Sequence, residues 1–164
     1  MDLFILRHGK AGQSSSGPDD RERALTGQGK RELRKTGKWM QKKKFRFGVI
    51  ATSPLVRAYE TADSIARSLD QKEQVTVWEE LGPGGDPDTI CYHCAQSGDE
   101  DAILLVGHEP LLSEVISRII SGDTTASLVL AKGGLAKIRN FSFDQRPSGD
   151  LQWLLTPRQM MEMV

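Results

Sequence analysis

The chain carries no net charge, its 164 residues holding 22 Lys and Arg against 22 Asp and Glu. Such a balance supplies no long-range field to hold nucleic acid or an anionic membrane, so neither is expected as a partner, and any phosphate recognition must be built locally. Long hydrophobic runs are missing too. Stretches such as Ile103 to Val106 fall far short of the ~20 residues that span a bilayer. Near the N-terminus only Leu3 to Leu6 are apolar, with Asp2 before them and Arg7-His8 after. That lacks the basic start and longer apolar region of a signal peptide, and a cytoplasmic protein is expected. Cysteine is scarce, with two residues, Cys91 and Cys94. Their Cys-x-x-Cys spacing is used by redox and zinc sites, but zinc wants about four ligands and a redox pair opens a helix after a strand. Here Ile90, Cys91 and Cys94 share one helical face, so the cysteines are expected to be small buried residues in a reducing compartment, and His93 an ordinary, partly exposed histidine. What is present is an ordinary globular composition: 38% hydrophobic residues and 16 glycines suit a single domain over residues 1–164.

Short apolar segments alternate with longer ones of helical period, which predicts an α/β fold with a parallel sheet covered by helices. Leu3 to Leu6, Val49 to Ala51, Val75 to Trp78 and Ala102 to Val106 are the strand candidates; the last is continuously apolar, as strands buried on both faces are. A polar loop from Gly12 to Asp20 follows the first strand, and Thr26 is placed to cap a helix running to about Lys44, whose basic end, Lys42 to Lys44, is read as a solvated helix terminus. Ser53-Pro54 suits the start of a second helix whose apolar face is Leu55, Tyr59, Ala62, Ile65, Ala66 and Leu69, with Arg57 near its beginning. A third helix is expected from about Asp86 to Ser97, and a fourth from Leu111 to Ile120, ended by Gly122. Ser127 to Lys132, Leu135 to Phe143 and Leu151 to Leu155 read as later strands, the first two joined at Gly133-Gly134.

The reactive side chains fall at equivalent points of this pattern. Arg7-His8 follows the first strand, Arg57 the second by one helical turn, Glu80 the third and His108 the fourth. Parallel strands put these ends on one edge of the sheet, where open α/β folds bind ligands. Singly, His8 could be a hydrogen-bonded structural histidine, Arg57 a helix-surface charge and Glu80 a solvated acid. Together, two arginines and two histidines make a cationic pocket whose guanidinium forks suit phosphoryl oxygens. The same arginines would repel a metal cation from the histidines, so no metal site is expected. A neutral imidazole facing a phosphorus atom held by arginines is a competent nucleophile needing no cofactor. His108, if protonated, and the arginines would stabilise charge on the transferring group.

Four ordered segments resemble the histidine phosphatase superfamily, the phosphoglycerate mutase-like group. They are Leu6-Arg7-His8-Gly9, Ala24-Leu25-Thr26-Gly27-Gln28-Gly29, the run from Thr52 through Ser53, Arg57 and Thr61 to Ala62, and Val106-Gly107-His108. The resemblance covers nearly the whole chain. It implies a three-layer sandwich with a mostly parallel central sheet, His8 as the phosphorylated nucleophile, Arg7 and Arg57 as phosphate clamps and His108 as a fourth pocket residue. Mutase-type members carry Ser or Thr and then Asn where Ala11 and Ser14 stand here. Arg-His-Gly-Lys-Ala, like Glu80-Leu81-Gly82-Pro83-Gly84-Gly85-Asp86, is similar to the short phosphohistidine phosphatase branch, whose members act on histidine-containing phosphotransfer domains of signalling relays. A chain this short leaves little room for a cap, so an open site able to admit a protein side chain is expected. A phosphohistidine expels neutral imidazole, whose conjugate acid has a pKa of ~6.5, and needs less acid help than an ester; Glu80 is the nominated acid. The expected activity is thus hydrolysis of protein phosphohistidine without a cofactor. Its competitors are a phosphatase of small phosphomonoesters or sugar phosphates and a noncatalytic phosphate-binding module.

Overall fold

Alternation along the two central strands builds the sheet and both its covers at once. In a computed structural model that describes residues 1–13 and 19–163, β1 (Asp2–Arg7) pairs in parallel with β4 (Ala102–Gly107). Leu3 and Ile5 of β1, with Ile103 and Leu105 of β4, enter one core. Phe4 and Leu6, with Leu104 and Val106, enter the other. A strand apolar on both faces requires a helical layer on each side, and the remaining elements supply them.

Beside β4 lie β2 (Val49–Thr52) and then β3 (Val75–Val77), both parallel to it. Beside β1 lie β5 (Leu135–Phe143) and β6 (Pro147–Leu155), an antiparallel hairpin that gives the six-stranded order β3-β2-β4-β1-β5-β6. One face is covered by α1 (Gly27–Lys42) and α2 (Val56–Leu69), the other by α3 (Pro87–Gln96) and α4 (Leu111–Ser121). The expected α/β sandwich with a mostly parallel sheet is the fold observed.

Local signals account for the helix limits. The Thr26 hydroxyl accepts from Gly29 N–H at the start of α1, Asp86 does the same for Thr89 N–H at α3, and Gly122 takes the left-handed conformation that ends α4. A fifth helix, α5 (Pro157–Glu162), was not expected, although Thr156, Pro157 and Gln159 form a capping box with Pro at the first position.

Three expectations are corrected. The second helix starts at Val56, after Leu55, and not at Ser53-Pro54, because the Ser53 side chain is engaged by Leu55 N–H and by His108. Tyr59 is exposed, since the buried stripe of α2 runs through Ala58, Ala62, Ile65 and Leu69 and Tyr59 lies one residue round the helix from it. Ser127 to Lys132 is irregular and not a strand: the Leu130 carbonyl accepts from the Arg7 guanidinium and not from a neighbouring strand. The part of the Gly12–Asp20 loop at residues 14–18, Ser14 included, lies outside the described residues.

Candidate active site

Four contacts aim the strand ends at one place. Past β1 the chain turns with His8 N–H on the Gly107 carbonyl at 3.0 Å, which ties it to the end of β4. Gly9 N–H donates to Thr61 Oγ1 at 3.1 Å, and Thr61 donates to the Arg57 carbonyl at 2.7 Å, so the first turn of α2 is fastened to the same segment. The start of α1 presses on it as well: a Cβ at Gly29 would stand 2.4 Å from the Lys10 carbonyl oxygen. On the far side Gly133, with φ +72°, donates to the carbonyls of Arg7 and His8 at 3.1 and 3.0 Å. The end of the irregular 127–132 segment is thereby held beside the site, where Lys132 lines the cleft.

Arg7, His8 and His108, from the ends of β1 and β4, and Arg57, from the first turn of α2, line one cleft of about 350 Å³, together with Ala11, Asp20, Arg23, Pro83, Glu109 and Lys132. The two imidazole rings stand 5.0 Å apart between centroids. His8 Nδ1 is 2.7 Å from the Gly9 carbonyl oxygen, a group that can only accept, so Nδ1 carries the proton and Nε2 keeps its lone pair. Arg57 Nε–H points at that lone pair from 3.4 Å. Burial, and then the charges of Arg57 and Arg7, hold the His8 pKa down at about 4, against the opposing pull of the Gly9 hydrogen bond. His8 is therefore a neutral imidazole at pH 7. His108 is held by Ser53 Oγ at 2.7 Å, and burial, followed by His8 and Arg57, lowers its pKa to about 3. It too is neutral in the free protein, so positive charge comes from the guanidinium groups.

Those groups are oriented by hydrogen bonds of their own. Arg7 donates to the Leu130 carbonyl at 3.0 Å and keeps a buried, unpartnered Nε. Arg57 donates to the Asp20 backbone carbonyl at 2.7 Å and its carboxylate at 2.9 Å. With Arg23 and Lys132, four cations line the cleft beside two carboxylates, those of Asp20 and Glu109. An oxyanion in the cleft would meet forked donors, a neutral nucleophilic nitrogen and an unpartnered buried Nδ1 on His108.

Glu80 is placed elsewhere. Its carboxylate is bound to Nδ1 of His93, whose ring stacks on Trp78 with centroids 3.6 Å apart, and it is not among the residues lining the cleft. Of the two carboxylates that do line it, Asp20 is paired with Arg57, and Glu109 has a buried Oε1 with no partner. Adjacency to His108 was the available signal for Glu109, and Lys132 had none, since it reaches the cleft only through the irregular segment. Cys91 and Cys94 are buried free thiols, pushed upward in pKa by burial, Cys91 to about 12, which removes their nucleophilic form. Among the described residues no group of three or more His, Cys, Asp and Glu side chains is placed to hold a metal ion.

The profile of the histidine phosphatase superfamily (branch 1) matches residues 3–82. The phosphohistidine phosphatase SixA of Escherichia coli is 25% identical over 159 residues, covering 96% of this chain and 94% of its own. An uncharacterized protein of a Picosynechococcus species is 30% identical over 142 residues, 85% of this chain and 86% of that one. Among solved structures, the protein histidine phosphatase SixA complexed with tungstate matches with a TM-score of 0.83 at 24% identity, over 96% of this chain and 98% of that one. A putative alpha-ribazole-5'-P phosphatase from Escherichia coli matches with a TM-score of 0.77 at 18% identity, over 96% and 98%.

Proposed function

Because this chain belongs to the histidine phosphatase superfamily, we propose that it is a phosphatase hydrolysing phosphohistidine on a protein through a covalent intermediate on His8. The observation that carries the proposal is the neutral His8 ring, its Nδ1–H committed to Gly9 and its Nε2 lone pair directed into a cleft of arginines. In the first step Nε2 attacks phosphorus, the bond from phosphorus to the substrate nitrogen breaks, and that nitrogen leaves with the electron pair. In the second, water attacks the Nε2-phosphoryl group, a proton leaves the water, and inorganic phosphate and neutral His8 are released. Arg7 and Arg57 balance the negative charge on the transferring group, and His108 gains a reason to hold a proton once that charge is present. With Asp20 paired to Arg57, Glu109, not Glu80, is the unpaired carboxylate of the cleft that can carry a proton to or from the reacting groups.

A protein substrate is supported by the cleft's opening at the sheet edge and by the imidazole leaving group, which departs without a strong acid. The deciding experiment is turnover of a phosphorylated phosphotransfer domain against a panel of small phosphate esters, in EDTA, with rapid quench to trap label. The expected result is preference for the phosphodomain and an acid-labile, base-stable phosphate on His8. Preference for the esters would make the chain a small-molecule phosphatase, and turnover retained in His8→Ala would overturn the mechanism.

A further inference from the structure

The neutral chain hides a concentrated charge. Residues 27–46 hold nine Lys and Arg against one Glu, and all nine cations are exposed. The inner stripe of α1, with Leu33, Trp39 and Met40, is buried against the sheet, so the cations take the outer face. Lys30 is offset by Glu60 at 3.2 Å and Lys10 by Glu32 at 2.9 Å, but Arg31, Arg34, Lys35 and Lys38 have no acidic partner among the described residues. These four line a shallow cleft of about 210 Å³ that includes no carboxylate. Like charges at spacings of three and four weaken a helix, so local stability does not account for the stripe.

The helix that carries the stripe begins beside the segment that carries His8. A Cβ at Gly9 would stand 2.8 Å from Leu33 Cδ1 and one at Gly29 2.4 Å from the Lys10 carbonyl, so the first turns of α1 rest on the segment that carries His8. From Arg31 the cations run ~10 Å along the helix at 1.5 Å per residue. We propose that this stripe is a docking surface for an acidic face of the phosphorylated protein substrate, steering that protein so that its phosphohistidine enters the cleft. This rests on the phosphoprotein reading above. A protein fits better than a nucleic acid: the four cations form a short stripe, the only aromatic residue of α1, Trp39, is buried, and the exposed Tyr59 and Tyr92 lie on other helices, so no base-stacking platform accompanies the charge.

The test compares wild type with R31E/R34E/K35E/K38E on two probes, a phosphohistidine-bearing phosphotransfer domain with an acidic surface and N-phosphoimidazole, over salt from about 50 to about 300 mM. On the protein probe the variant is expected to raise KM by about tenfold or more, keep kcat, and flatten the salt dependence seen in wild type. On N-phosphoimidazole it is expected to match wild type, which also reports an intact cleft. An unchanged KM on the protein probe, or equal losses on both probes that R31A/R34A/K35A/K38A reproduces, would overturn the docking role. Inhibition of wild type but not of the variant by a single-stranded oligonucleotide, with no change on the protein probe, would reassign the stripe to nucleic acid. Wild type that consumes N-phosphoimidazole and ignores the phosphodomain defeats the phosphoprotein reading itself.

Discussion

At the scale of single residues, the site depends on which atoms are already occupied. His8 Nδ1 is committed to Gly9, Arg7 to the Leu130 carbonyl and Arg57 to Asp20, so each side chain is fixed before any anion arrives. Fixed donors act on a transferring phosphoryl group without reorganising, and losing one costs on the order of 10²-fold in rate. Arg57→Ala is therefore expected to lower kcat/KM by about 10²-fold or more on phosphohistidine and phosphate esters alike. Steady-state kinetics showing no loss on either substrate would mean that the strand ends do not converge on one phosphate. The two glutamates separate by position. Glu109→Gln is expected to slow alkyl phosphate hydrolysis far more than phosphohistidine hydrolysis, since an alkoxide needs a proton that imidazole does not. Glu80→Gln, which alters a carboxylate bound to His93, is expected to affect both substrates equally and mildly; a selective loss on esters from Glu80→Gln would restore it as the acid.

At the scale of elements, the helix starts align the site. Ordinarily a glycine inside a helix is improved by alanine, by roughly 1 kcal/mol. Gly29 is an exception, because its Cβ would meet the Lys10 carbonyl at 2.4 Å and either α1 or the segment after His8 must move. Gly29→Ala is expected to destabilise by about 1–3 kcal/mol, the cost of overpacking, with a fall in kcat. Urea midpoints and initial rates check it, and a rise in the midpoint would show that the close approach carries no weight. Thr61 joins the two devices by accepting from Gly9 N–H and donating to the Arg57 carbonyl, which gives the Arg-x-x-x-Thr spacing its physical meaning.

Across the whole molecule, burying two histidines makes stability depend on pH. Their folded-state pKa values, about 4 for His8 and about 3 for His108, lie below the ~6.5 of the unfolded chain. Between those limits the unfolded state binds more protons, so the stabilisation is complete above about pH 6.5 and is lost as pH falls toward 4 and then 3. The urea midpoint is expected to drop from pH 7.5 to pH 5, and His108→Gln is expected to show a shallower drop; equal slopes would show that the buried imidazoles are not the cause. By itself the sequence determined the layer plan and the convergence of Arg7, His8, Arg57 and His108, because two-sided apolar strands force covering helices and parallel strands share an edge. It could not determine that Glu80 turns to His93, that Glu109, Asp20 and Lys132 enter the cleft, or that Ser127 to Lys132 stays outside the sheet. Those outcomes depend on contacts between segments far apart in the chain, Gly133 with Arg7 and His8, or Arg57 with Asp20, which no local pattern of residues encodes.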